Sequence, residues 1–319
     1  MELLPILLTV LGLCLFEIIS SVDNAIINAE VLSTMSKKAR RWFLTYGLFF
    51  AVFVLRGLLP WAIVWAVIPS LGPIGALTAT FSNDPKIVHA IESSAPILLM
   101  GGGVFLVFLF FHWLFLEPKN FGLKGERFFK EQGVWFYAVV SILLTLIVWY
   151  SLKINPFIAF SAVIGSTAFF ITHGFRQNAE KSEAALLANK GLSDVSKILY
   201  LEIIDASFSI DGVLGAFAFT LSVPIILFGN GIGAFVLREL TIHNIERIKK
   251  YKFIKNGAMY SILVLGSIMI FDSFGMHIPQ WLSPVATFSI VGYFFWKSRQ
   301  DMKSIEIPAE VTSQKKKKK

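Results

Sequence analysis

From Pro96 to Leu116 the chain reads PILLMGGGVFLVFLFFHWLFL, with no Asp, Glu, Lys or Arg. About 20 such residues, wound as an α-helix, cross the hydrocarbon layer of a bilayer, and no other element satisfies its backbone there without a partner strand. The chain carries many runs of this kind. Hydrophobic residues make up 55% of it and charged residues 16%, too little polar material to cover the surface of a soluble domain. The pattern predicts an all-α polytopic membrane protein with about nine spans, near 4–31, 42–69, 95–116, 134–152, 156–174, 196–219, 222–243, 257–275 and 281–297. Residues 1–300 then form one transmembrane domain, and 301–319 a polar cytoplasmic tail without fixed structure.

A net charge of +8 raises nucleic acid as a partner, but the placement of the basic residues points to the lipid bilayer instead. With Lys197 and Lys297 counted into the adjoining segments, the first, third, fifth and seventh loops and the tail hold 4, 4, 4, 5 and 8 Lys or Arg. The second and fourth loops hold Lys86 and Lys153 alone. This alternation obeys the positive-inside rule with the N-terminus outside and the C-terminus in the cytoplasm. The N-terminal MELLPILLTVLG has an acid and no basic n-region, so it reads as a retained span rather than a cleaved leader. Cys14 stands alone, which excludes a disulfide framework or a thiolate cluster.

Two segments repeat. EIISSVDNAIINA, from Glu17 to Ala29, lies in span one, and DASFSIDGVLGAF, from Asp205 to Phe217, lies in span six. Laying Ser21 on Ser209 and Asp23 on Asp211 also lays Glu17 on Asp205 and Asn24 on Gly212. In the following span each copy continues with a glycine and, nine positions on, an arginine: Gly47 and Arg56, then Gly229 and Arg238. Spans one and six are an odd number apart, so they cross in opposite directions. That makes an inverted-topology repeat, about 4–116 and about 196–297, of the sort that builds transporter sites at its interface.

Glu17, Asp23, Arg56, Glu202, Asp205, Asp211 and Arg238 all fall within spans. Each such charge costs about 2.5–3.5 kcal/mol at the bilayer centre on insertion scales. Five acids against two arginines leave an excess that pairing alone does not satisfy, and a bound cation or protons would. Glu17, Ser20, Ser21, Asn24 and Asn28 share one helical face, as do Glu202, Asp205, Ser209 and Gly212. Asp23 and Asp211 sit about 100° off those stripes in an ideal helix. Local unwinding at Asn24 and Gly212 is therefore expected, to turn both carboxylates inward. The donors are all oxygen, which favours Mn²⁺, Mg²⁺ or Ca²⁺ over copper or zinc. His89, His112, His173, His243 and His277 lie near span ends and read as anchors or caps. Gly101, Gly102 and Gly103 read as a close helix crossing rather than a phosphate loop.

The doubled Ser-x-Asp motif with its following arginine resembles the TerC family of integral membrane proteins, in its DASFSIDGV form, within the wider LysE superfamily. The resemblance covers roughly residues 4–297. The second copy has Asp-Gly-Val where the commoner TerC form has Asp-Ser-Ile-Pro. The resemblance implies Mn²⁺ efflux or supply of metal to exported proteins, with Asp23 and Asp211 foremost and Asn24, Glu17 and Asp205 beside them.

The expected function is export of a divalent cation, most of all Mn²⁺, through the cytoplasmic membrane, with no permanently bound cofactor and no enzymatic activity. Asp23, Asp211, Asn24, Ser21 and Ser209 would surround the ion. Glu17, Glu202 and Asp205 would carry protons, and Arg56 and Arg238 would neutralise vacated carboxylates. The rival readings are export of amino acids or other small organic solutes, and an intramembrane aspartyl protease built on Asp23 and Asp211. A last one is an assembly factor that hands metal to a secretion-machinery or exported metalloprotein partner.

Overall fold

Where lipid cannot hydrogen-bond, the backbone must satisfy itself, and the described apolar runs of this chain do so as helix. The computed structural model describes residues 3–47, 50, 56–79, 84–188 and 193–316, and among them there is no strand. Within the helices, the side chains of Asp23, Ile27, Glu30, Arg56, Val88, Ile204, Ala206, Ser207 and Phe208 lie outside the description, as do those of residues 179–188, 241–249 and 303–316. The helices are α1 (Leu3–Ser20), α2 (Val22–Ser33), α3 (Lys37–Trp42), α4 (Arg56–Val67), α5 (Gly72–Thr78), α6 (Pro85–Leu116) and α7 (Glu126–Glu131). They continue with α8 (Phe136–Ser151), α9 (Pro156–Ala188), α10 (Asp194–Ala216), α11 (Val223–Lys249), α12 (Ile254–Ser273) and α13 (Leu282–Lys316).

Six described helical stretches are long and apolar enough to cross a membrane: Leu3–Ser20, Pro85–Leu116, Gly133–Ser151, Pro156–Asn178, Val223–Leu240 and Ile254–Ser273. A seventh follows if the pair Gly57–Val67 and Pro69–Thr78, bent by 104°, counts as one broken span. The chain is an all-helical, multi-pass membrane protein. Three of the nine expected spans have no counterpart among the six: 42–69 includes residues outside the description, and the other two fall short for a physical reason. α10 carries Lys197, Glu202, Asp205 and Asp211, and the apolar part of α13 ends at Lys297. α13 itself runs on to Lys316, through the stretch expected to lack fixed structure.

α6 is the central post. Its Met100, Val104, Phe105, Leu106, Phe108 and Trp113 are almost wholly buried. The glycine triplet sets the crossings. A Cβ on Gly103 would stand 2.9 Å from the Gly266 carbonyl of α12, and one on Gly266 3.0 Å from the Gly103 carbonyl. Gly165 of α9 comes so near the Gly101 backbone that no side chain fits between them. Small residues thus replace hydrophobic driving force with close backbone approach. The same device seats α1, where Gly215 of α10 faces Phe16 and Gly229 of α11 faces Leu13.

At the α6 end, loop three folds inward. Glu126, 1% exposed, accepts hydrogen bonds from the Gly122 amide at 2.7 Å and from Asn256 Nδ2 at 2.9 Å, fastening α7 to α12. The Lys119 ammonium donates to the Trp113 and Leu114 carbonyls, closing the last turn of α6. The bend between α4 and α5 is held by Trp61, whose Nε1 donates to the Pro73 carbonyl at 2.6 Å.

Candidate functional site

The first motif helix breaks at Ser21, which leaves helical geometry at φ −99°, ψ 3° between α1 and α2. The break lies upstream of Asn24, where unwinding was expected. Glu17, Ser21, Asn24 and Asn28 line the wall of a cavity of about 80 Å³. Glu202 and Asp205 of α10, Arg238 of α11 and Gly47 of a π-helical turn at Phe43–Gly47 complete the polar lining. Glu17 has no exposed surface, and Ser21 Oγ donates to its Oε1 at 2.9 Å. Asn24, 2% exposed, donates from Nδ2 to Asp205 Oδ1 at 2.5 Å, a bond between the two halves of the chain.

Glycines make room for these acids. A Cβ at Gly233 would stand 2.7 Å from Glu17 Cβ, and one at Gly47 2.5 Å from Glu202 Oε1. At Gly212 it would stand 3.2 Å from Glu17 Oε2. Several polar atoms remain available inside. Asn24 Oδ1, Asn28 Oδ1 and both Glu202 carboxylate oxygens are buried with no hydrogen-bond partner among the described residues.

Asp211 departs from the expected arrangement. α10 runs unbroken through Gly212, so Asp211 keeps its ideal-helix direction, about 100° from the Asp205 stripe. Its carboxylate ion-pairs with Arg176 Nη2 of α9 at 2.5 Å, on the far side of α10. Gly212 is thus a place for the Glu17 carboxylate rather than a helix breaker. Arg176 and Asp211 border a second cavity of about 70 Å³ with Glu117, Lys255 and Ser20. There Glu117 accepts from Lys255 Nζ at 2.9 Å and lies 3.4 Å from His112 Nδ1. Burial pushes the Glu117 carboxyl up, but His112 and Lys255 outweigh it and hold the group well below the usual carboxylate range.

The structure therefore brings Glu17, Ser21, Asn24, Glu202, Asp205 and Arg238 together, and places Asp211 elsewhere. Ser209 is buried but lines neither cavity. Asp23 belongs to α2 and Arg56 opens α4, yet both side chains lie outside the described residues. Among the described residues no group of three or more His, Cys, Asp or Glu is close enough to hold a metal ion. The three acids line the first cavity without converging on a point. Sequence reasoning missed Arg176, Glu117 and Lys255. Arg176 was assigned to a loop because the apolar run stops near residue 174, although His173, Arg176 and Gln177 already continue the helical spacing of α9.

A family model described as "Protein of unknown function (DUF475)" matches residues 22–304. No curated protein and no solved structure matches the chain.

Proposed function

The chain belongs to the DUF475 family, whose description assigns no activity, and from its site we propose that it carries a divalent cation across the cytoplasmic membrane. One observation carries this reading. Three acids of the two motif helices, Glu17, Glu202 and Asp205, line one cavity in the interior of a membrane protein together with Arg238, and buried oxygens of Asn24, Asn28 and Glu202 in that lining have no hydrogen-bond partner among the described residues. Buried oxygens left without a hydrogen-bond partner cost about 1–3 kcal/mol each. A divalent ion engages them, with the amide oxygens of Asn24 and Asn28 and the Glu202 carboxylate as donors in the cavity lining. When the ion leaves, protons on the acids and the Arg238 guanidinium neutralise the site.

Size favours an ion over an organic solute. About 80 Å³ is far below the roughly 300–1,000 Å³ of small-molecule pockets, and holds an ion with one or two waters at about 30 Å³ each. The oxygen-only donors favour Mn²⁺, Mg²⁺ or Ca²⁺, and the likeness to the TerC motif favours Mn²⁺ and export.

Packing supports an inverted repeat, and the alternation of Lys and Arg between loops supports nine crossings with the N-terminus outside. Under the alignment of the motifs, Asn24 corresponds to Gly212 and Asp205 to Glu17. Asn24 meets Asp205 at 2.5 Å, and Gly212 in turn faces Glu17. Gly229 stands against α1 and its counterpart Gly47 against α10. These are the paired contacts a two-fold axis in the membrane plane produces.

The test is flux of Mn²⁺ into proteoliposomes under an imposed pH gradient. Glu17→Gln and Asp205→Asn should each lower it at least about tenfold, the loss expected when about 1.4 kcal/mol of ion affinity is removed. Flux unchanged in both variants at equal incorporation would refute the assignment.

A further inference from the structure

The segment that walls the acid cavity has a second face. α3 and the π-helical turn read KKARRWFLTYG from Lys37 to Gly47. Phe43 and Gly47 are buried toward the acids, while Lys37, Lys38, Arg41, Trp42, Thr45 and Tyr46 are exposed and line an open concavity of about 620 Å³. Arg40 is spent elsewhere, its guanidinium donating to the Leu32 carbonyl at 3.0 Å and the Ser33 carbonyl at 3.3 Å. Three cations are left beside two aromatic rings whose centroids are 5.6 Å apart. Among the described residues none of the three forms a salt bridge, and Asp194 is engaged by Ser36, whose Oγ donates to it at 2.5 Å.

We propose that this concavity binds the phosphate headgroup of an anionic phospholipid. The position fits, because the segment follows directly on α2 and carries one of the basic clusters that the positive-inside rule places at the cytoplasmic surface. Anionic lipid concentrates in that leaflet and attracts adjoining Lys and Arg. The rings decide between a lipid and a free anion. Trp42 is 48% exposed and Tyr46 62%, amphipathic surface that a dissolved phosphate leaves wet and that the glycerol and upper acyl region of a lipid covers. The other face of the same segment forms the cavity wall, with Gly47 against Glu202 and Phe43 and Leu44 in the lining. Lipid binding here stands without the cation-transport reading.

The experiment uses the full chain in phosphatidylcholine vesicles, titrated with brominated phosphatidylglycerol. Quenching assigned to Trp42 by difference from Trp42→Phe is the readout. Wild type should quench at low phosphatidylglycerol content and not with brominated phosphatidylcholine. Affinity should fall about fivefold for each of Lys37→Gln, Lys38→Gln and Arg41→Gln, and about 100-fold for the triple variant. The charge-preserving set Lys37→Arg, Lys38→Arg and Arg41→Lys should retain binding, as should Lys86→Gln. Equal quenching by brominated phosphatidylcholine would overturn the site, and so would an unchanged triple variant. Loss of binding in the charge-preserving set as large as in the triple variant, or full competition by inorganic phosphate at the same concentration, would overturn it too. Because the readout is binding, a failure here leaves the Mn²⁺ flux result untouched.

Discussion

The cavity beside α2 holds Glu17, Glu202 and Asp205 against Arg238, whereas the one across α10 holds Glu117 and Asp211 against Arg176 and Lys255. They differ little in size, about 80 and about 70 Å³. They differ in what their polar atoms do: the first keeps buried oxygens of Asn24, Asn28 and Glu202 with no hydrogen-bond partner among the described residues, and the second closes on itself in ion pairs at 2.5 and 2.9 Å. A balanced buried network ties helices together and needs no ligand. One with unused buried oxygens has places for a ligand, and that difference separates a candidate ion site from a clamp built of the same residue types.

The largest expected effect comes from unbalancing the clamp. Arg176→Ala leaves Asp211 buried without its described partner and should destabilise the fold by about 3–5 kcal/mol, while replacing Arg176 and Asp211 together by leucine should be close to neutral. Thermal unfolding in detergent measures both. If instead the double variant unfolds as readily as the single one, the pair does more than hold α9 to α10.

A smaller effect is expected at the wall between the cavities. Gly212→Ala places a methyl group 3.2 Å from Glu17 Oε2, so the carboxylate must shift. Helix propensity favours alanine by about 1 kcal/mol, which offsets the crowding. Stability should therefore hardly move, while Mn²⁺ flux falls several-fold. Full flux in this variant would mean that the position of the Glu17 carboxylate does not matter to the ion.

The smallest effect is a slope with pH. The Glu117 carboxyl is held below its ordinary range, so its contribution to stability is complete above the unfolded value of about 4.3 and fades as pH falls through the lower folded one. The unfolding temperature should thus drop on acidification below that value, and Glu117→Gln should flatten the drop. A slope that Glu117→Gln leaves unaltered would show that other acids, those of the first cavity included, set it.

Much of the site was legible because helical periodicity is a local property. Glu17, Ser21, Asn24 and Asn28 share a face by spacing alone, and so do Glu202 and Asp205; all six line one cavity. The expected role of Gly101–Gly103 as a close crossing could likewise be read from small residues in an apolar run. Asp211 could not be placed in this way. Its partner Arg176 lies on another helix, and the choice between unwinding at Gly212 and an unbroken helix depends on what fills the space beside that glycine. Glu17, from the opposite half of the chain, fills it.

By itself the sequence determined the class of molecule, the runs that become helices and the faces on which acids gather, since hydrophobicity and the 3.6-residue period act within one element. Only the tertiary structure decided which acids share a cavity and which are neutralised by a neighbouring helix. Ion pairing falls off within a few ångströms, and those distances are set by helix crossings that glycines permit from afar in the chain.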